Sequence, residues 1–153
     1  MRRALCVIVS NEHGVLSRIV GLFSGRGYNI DSLTVAPMPG TEFSRVNIIT
    51  SGDEKTFEQI TKQLHKLIPT YKVLEGIAFI EKELALLRIK TDDFAGLDAL
   101  LASYGGVIAH SSESTLTIML ANEPEKIDDF LATMKRYKPI EVIRSGSILM
   151  EKK

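Results

Sequence analysis

The chain has 153 residues, its 19 Lys and Arg balance 19 Asp and Glu, and Cys6 is its only cysteine. This length fits one ordinary domain or two small ones. A nucleic-acid partner is disfavoured, because such binders usually carry a basic excess that neutralises phosphates. One cysteine excludes an intrachain disulfide and a CxxC metal pair. No apolar run reaches the ~20 residues of a membrane span and no signal peptide is recognisable, so we expect a cytoplasmic protein without membrane contact.

The first elements are a strand and a helix. Residues 4–10 form a short apolar run rich in β-branched side chains, which predicts a buried central strand. Residues 11–14 break this run with a tight turn. Apolar residues then recur at helical spacing as far as Phe23, and Gly25 and Gly27 are typical of a helix end because they permit a left-handed backbone.

Residues 28–38 favour a second strand, in which Ile30 points one way and Leu33 the other. This slip of one residue predicts a bulge or bend near Asp31. Pro37 donates no hydrogen bond, so the strand is expected at the edge of a sheet.

The first half closes with two more strands around a helix. Residues 43–50 predict a third strand, and Ser51 and Glu54 match a capping box at the start of a second helix. Pro69 closes that helix, and residues 71–80 supply a fourth strand. The order is therefore strand, helix, strand, strand, helix, strand.

The second half repeats this order. We predict a strand at 84–90, a helix from Phe94 to Tyr104, strands at 107–111 and 115–121, a helix capped by Asn122, and a strand at 140–150. Two βαββαβ units of about 75 residues are ferredoxin-like domains. The prediction is an α+β fold with two such domains in tandem, residues 1–80 and 84–153. Each domain buries a limited core, so we expect chains to pair through sheet edges or faces.

Residues 11–16 carry the most chemical information. They place a turn and a helix N-terminus after the first strand, where free N–H groups and the helix dipole favour an anion such as an α-carboxylate. Gly14 leaves room for a ligand near the backbone, and the Asn11 side chain can both accept and donate hydrogen bonds. An ordinary β–α turn with a capping Asn fits the same spacing, so both interpretations stay open at this point.

No pattern predicts catalysis or a resident metal. No serine or cysteine nucleophile with a third, orienting group lies near His13 in sequence, and neither His65 nor His110 has the i, i+4 partner of a metal site. No GxGxxG motif follows a strand. We therefore expect a binding protein without catalytic residues.

The sequence also resembles a known family. Residues 11–19, NEHGVLSRI, and residues 21–37, GLFSGRGYNIDSLTVAP, closely resemble the ACT-domain opening of acetolactate (acetohydroxyacid) synthase small subunits. Further similar stretches lie at 44–45, 59–67, 83–86 and 141–146. The similarity is weaker between residues 91 and 112.

The resemblance implies a regulatory subunit in the biosynthesis of valine, leucine and isoleucine. Such a subunit activates a large catalytic subunit that carries thiamine diphosphate, magnesium and FAD, and it transmits feedback inhibition by valine. ACT domains of this family pair through their outer strands, here residues 29–36, as a homodimer. The implied valine site consists of Asn11, Gly14, Val15 and Leu16 of one chain with Asn29 and Ile30 of its partner. The alternative is a free-standing ACT-type amino-acid sensor or a transcriptional regulator.

Overall fold

The computed structural model describes residues 1–92 and 95–153. The helix start predicted at Phe94 therefore lies outside the described residues. The elements are β1 (Arg2–Ser10), α1 (Val15–Ser24), β2 (Asn29–Pro37), β3 (Phe43–Ser51), α2 (Glu54–Lys66), β4 (Thr70–Glu75), β5 (Phe79–Lys90), α3 (Leu97–Tyr104), β6 (Val107–Ser111), β7 (Thr115–Asn122), α4 (Pro124–Met134), a short 3₁₀ helix (Lys135–Tyr137) and β8 (Glu141–Glu151).

These elements form two four-stranded antiparallel sheets. The strand order is β2-β3-β1-β4 in the first sheet and β6-β7-β5-β8 in the second. The predicted α+β fold with tandem ferredoxin-like domains is confirmed. Within the described residues, no helix is long and apolar enough to cross a membrane.

Both faces of β1 are buried. Leu5 and Val7 pack into the main core of the first sheet with side chains of α1 and α2. Cys6 and Ile8 point to the opposite face and form a second cluster with Leu74. This double burial explains why β1 is a nearly continuous apolar run rather than an alternating one.

β2 confirms two predictions made from its sequence. It lies at the edge of the first sheet, as Pro37 indicated. Its pairing with β3 shifts between Ile30 and Ser32, so the extra residue of the bulge is Asp31. Because of this bulge, Ile30 and Leu33 both pack against the main core despite their odd spacing.

Two helix caps differ from the sequence prediction. The N-cap of α2 is Asp53, whose carboxylate accepts from the N–H of Thr56 at 2.8 Å, and not Ser51. The N-cap of α4 is Glu123, while Asn122 accepts from the Glu123 N–H one residue earlier. The predicted boundaries were off by one or two residues because several polar residues at each site can act as caps.

The end of α1 also differs in part. Gly27 has the predicted left-handed backbone, with φ of 64°. Gly25 is the C-cap of α1 as expected, but its backbone is right-handed rather than left-handed, with φ of −63°.

The chain divides into two compact units, and the last residues group with the first. One unit comprises Met1–Ile80 with Ser147–Lys153, and the other comprises Glu81–Gly146. The predicted joint at 81–83 lies inside β5, and residues 147–151 belong to β8 of the second sheet while grouping with the first unit. We call Ser147–Lys153 the C-terminal segment.

Hydrogen bonds hold the C-terminal segment within the first unit. The Arg45 guanidinium donates to the Leu149 carbonyl from Nε at 3.1 Å and from Nη2 at 2.7 Å. The Thr34 hydroxyl donates to the Ser147 carbonyl at 3.1 Å. These contacts lie more than 100 residues apart in sequence, so no local pattern predicts them.

Candidate functional site

The turn after β1 is fixed by its neighbours in the sheet. The Ser10 N–H donates to the Pro69 carbonyl at 2.8 Å, and the Asn11 N–H donates to the Glu42 carbonyl at 3.0 Å. The chain then reaches Gly14, which has a left-handed backbone with φ of 79°. Most residues with a side chain would be strained there, so glycine suits the conformation best.

The start of α1 offers unpaired backbone donors. Gly14 is its N-cap and provides no side-chain hydrogen bond. The first bond of the helix runs from the Arg18 N–H to the Gly14 carbonyl at 3.1 Å, so the N–H groups of Val15, Leu16 and Ser17 precede it. Together with the positive end of the helix dipole, these donors favour a bound anion.

The space around this turn suits a ligand with an apolar part. A Cβ atom at Gly14 would meet no heavy atom within 4 Å, so the turn is open on that side. Val15 is buried in the core and can contribute only its backbone, whereas Leu16 keeps 39% of its surface exposed beside the turn. His13 is exposed in the same turn.

Asn29 and Ile30 lie at the other end of the same sheet. Asn29 pairs with Ser51, which pairs with Arg2 at the start of β1, whereas the turn follows the end of β1. Nine strand residues separate these ends by roughly 25 Å. One chain therefore brings Asn11, Gly14, Val15 and Leu16 together but holds Asn29 and Ile30 apart from them.

Asn29 is held in place by neighbours that the sequence analysis did not single out. The buried Thr50 hydroxyl donates to the Asn29 carbonyl. The Asn29 side-chain amide donates to Asp31 Oδ1 at 2.6 Å, and the Ser51 hydroxyl donates to the same oxygen at 3.3 Å. The only sequence signal for this arrangement is the bulge at Asp31.

The environment of Cys6 makes its thiol unreactive. It is fully buried, and burial raises the pKa of its thiol above the ordinary value, which disfavours the reactive thiolate at neutral pH. Across residues 1–92 and 95–153, no three His, Cys, Asp or Glu side chains are grouped so that they could hold a metal ion.

Comparison with known proteins gives the class of the first unit and then the family of the chain. Residues 5–72 match a family model described as an AHAS small subunit-like ACT domain, so this part of the first unit is an ACT domain. Residues 82–153 match a second model, described as the small subunit of acetolactate synthase.

Full-length relatives agree with both matches. The acetolactate synthase isozyme 3 small subunit of Escherichia coli is 45% identical over 154 residues, covering 97% of this chain and 94% of that one. Its Salmonella typhimurium counterpart is 43% identical with the same coverage. The crystal structure of the acetolactate synthase small subunit from Thermotoga maritima superposes with a TM-score of 0.89 at 30% identity, covering 100% of this chain and 98% of that one.

The chain belongs to the acetolactate synthase small-subunit family, which confirms the resemblance found in its sequence. It is a non-catalytic subunit with a regulatory role.

Proposed function

We propose that this chain activates a large catalytic subunit of acetolactate synthase and makes that subunit sensitive to feedback inhibition by valine. The observation that carries the proposal is the open Gly14 turn, which leads into an uncapped helix start in a member of this family. Thiamine diphosphate, magnesium and FAD belong to the catalytic partner in this proposal.

The turn matches the chemistry of an amino acid. The N–H groups of Val15 and Leu16 bind the carboxylate, the Asn11 and Asn29 side chains bind the polar groups, and apolar neighbours receive the isopropyl group. Apolar pockets separate side chains that differ by one methylene by only about 1–3 kcal/mol. Leucine and isoleucine are therefore expected to bind more weakly than valine rather than not at all.

A homodimer through β2 would complete the site. β2 is an edge strand and runs in the same direction as β1, because both pair antiparallel to β3. Antiparallel pairing of two β2 strands about a two-fold axis near Leu33 places Asn29 of the partner beside Pro37. Pro37 lies at the end of the sheet where β1 leads into the Gly14 turn. Each dimer would then hold two equivalent valine sites.

Regulation requires a difference in affinity between two states. Valine inhibits only if it binds one arrangement of the complex more tightly than another, and typical couplings of this kind are about 1–3 kcal/mol. Activation without valine and inhibition with valine are then two consequences of one equilibrium.

Valine binding by purified protein tests this proposal, with Gly14→Asp as the variant. Aspartate tolerates a left-handed backbone better than most residues, so the fold should survive. Two carboxylates about 4 Å apart repel by about 1 kcal/mol in water and about 4 kcal/mol at an effective dielectric constant of 20, so we expect valine affinity to fall by at least about fivefold.

Gly76→Asp is the matched control. Gly76 also has positive φ, at 66°, and a Cβ there would also meet nothing within 4 Å, but it lies in the turn between β4 and β5. Calorimetry should show parental valine affinity for Gly76→Asp. If Gly14→Asp binds valine as tightly as the unchanged chain, the site is not at this turn.

A further inference from the structure

We propose that Asp31 orients the Asn29 side chain so that its amide oxygen accepts a hydrogen bond from the α-ammonium group of valine. This inference rests on the proposed function, because it concerns the same site. Asp31 acts through Asn29 and is therefore a positioning residue.

The orientation follows from hydrogen-bonding chemistry. An ionised carboxylate only accepts hydrogen bonds, whereas an asparagine amide carries a donor and an acceptor on opposite sides. Asp31 Oδ1 lies 2.6 Å from the Asn29 amide nitrogen. The flipped amide would place two acceptor oxygens against each other, so the NH₂ group must face Asp31 and the oxygen must face away.

The surrounding residues fix both members of this pair. The Ser51 hydroxyl donates to Asp31 Oδ1 at 3.3 Å, which restrains the carboxylate. The buried Thr50 hydroxyl donates to the Asn29 carbonyl, which restrains its backbone. Asn29 therefore loses little freedom when a ligand binds, and such preorganisation raises affinity.

The bulge explains how the pair comes together. Residues i and i+2 of a regular strand share a face but lie about 6.6 Å apart along the strand. At a bulge the strand bends and re-aims side chains, and the pairing of β2 with β3 shifts at Asp31 itself. The bulge thus has a role at the site, since it brings a carboxylate against Asn29.

This arrangement predicts how the site distinguishes its ligand from a close analogue. The oxygen of Asn29 attracts the ammonium of valine, and the negative charge of Asp31 adds to that attraction. The same oxygen repels 3-methyl-2-oxobutanoate, which has the carboxylate and isopropyl group of valine but an acceptor carbonyl in place of the ammonium. The donors at the start of α1 bind the carboxylate of both compounds equally.

The experiment measures the affinity of the full-length chain for both compounds by calorimetry. Asp31→Asn allows the side-chain amide of Asn29 to flip by about 180°, because the new amide can donate to the Asn29 oxygen. We expect valine affinity to fall about tenfold, while 3-methyl-2-oxobutanoate binds equally well or better. Asp31→Glu keeps an acceptor carboxylate and should retain the preference for valine. Asp129→Asn, an exposed change of the same chemistry in α4, should alter neither affinity.

The outcomes separate this inference from the proposed function. If Asp31→Asn weakens the binding of both compounds to the same extent, Asp31 only supports the fold. If both affinities stay unchanged, Asp31 does not orient Asn29. Either result overturns the inference while leaving valine as the ligand. If the unchanged chain binds no valine, the proposed function fails and the role of Asp31 falls with it.

Discussion

Replacing Leu149 by alanine should destabilise the first unit, because Leu149 is buried and the C-terminal segment groups with that unit. The Leu149 side chain is only 3% exposed, and its carbonyl accepts both hydrogen bonds from Arg45. Its neighbour Ile148 lies in the same strand but is 58% exposed. Leu149→Ala and Ile148→Ala therefore form a matched pair of truncations, one buried and one exposed.

The two truncations should differ several-fold in how much they lower the free energy of unfolding. Truncating a buried leucine to alanine typically lowers the free energy of unfolding by about 2–5 kcal/mol. With an m-value of about 2 kcal/mol/M, Leu149→Ala should lower the urea midpoint by about 1–2.5 M. Surface substitutions usually change stability by no more than about 0.5 kcal/mol, so Ile148→Ala should shift the midpoint by about 0.25 M or less.

Urea unfolding combined with amide hydrogen exchange measures this effect and locates it. Exchange at Leu5 and Val7 in β1 reports on the first unit, whereas exchange at Leu87 in β5 reports on the second. Leu149→Ala should accelerate exchange in β1. Equal midpoints for the two variants, or faster exchange confined to β5, would refute the assignment of the C-terminal segment to the first unit.

Two further predictions concern stability. Glu83 is 7% exposed and accepts hydrogen bonds from the Arg144 guanidinium at 2.7 and 3.0 Å, so Glu83→Ala should lower the free energy of unfolding in urea by about 3 kcal/mol. Asp128 is the exposed second partner of Arg144, so Asp128→Ala should lower it by about 1 kcal/mol or less. Similar losses for both variants would contradict this ranking. Hydrogen bonds from Thr56 lower the pKa of Asp53, so its stabilising contribution is complete above the ordinary carboxyl pKa and is lost as the pH falls through the lower folded value. Asp53→Asn should therefore flatten the dependence of the thermal midpoint on pH in the acid range, and an unchanged slope would show that this cap does not contribute.

Local patterns predicted most of the first sheet. The apolar run of β1, the odd spacing of Ile30 and Leu33, and Pro37 each reflect the environment of single strands, and the structure confirms the central strand, the bulge and the edge. The start of β5 at Phe79 was missed because its first residues continue the apolar pattern attributed to the preceding strand. The contacts of the C-terminal segment with Arg45 and Thr34 were not predicted, because these residues are more than 100 positions away in sequence.

In the candidate site, too, local features were predicted from the sequence and contacts between distant residues were not. Residues 11–16 stood out because a turn and a helix start are local features. Asn29 entered only through the family resemblance, since the register places it at the opposite end of the sheet. The contact of Asp31 with Asn29 is invisible in sequence, because it depends on the orientation of two polar side chains at a bulge.

The rate of acetolactate formation by a purified large catalytic subunit, measured with and without this chain and with and without valine, tests the central claim most directly. The account predicts that the chain raises the rate, that valine then lowers it, and that the Gly14→Asp chain still raises the rate without conferring sensitivity to valine. A chain that binds valine but leaves the rate unchanged would be a free-standing sensor, and that result would contradict the account.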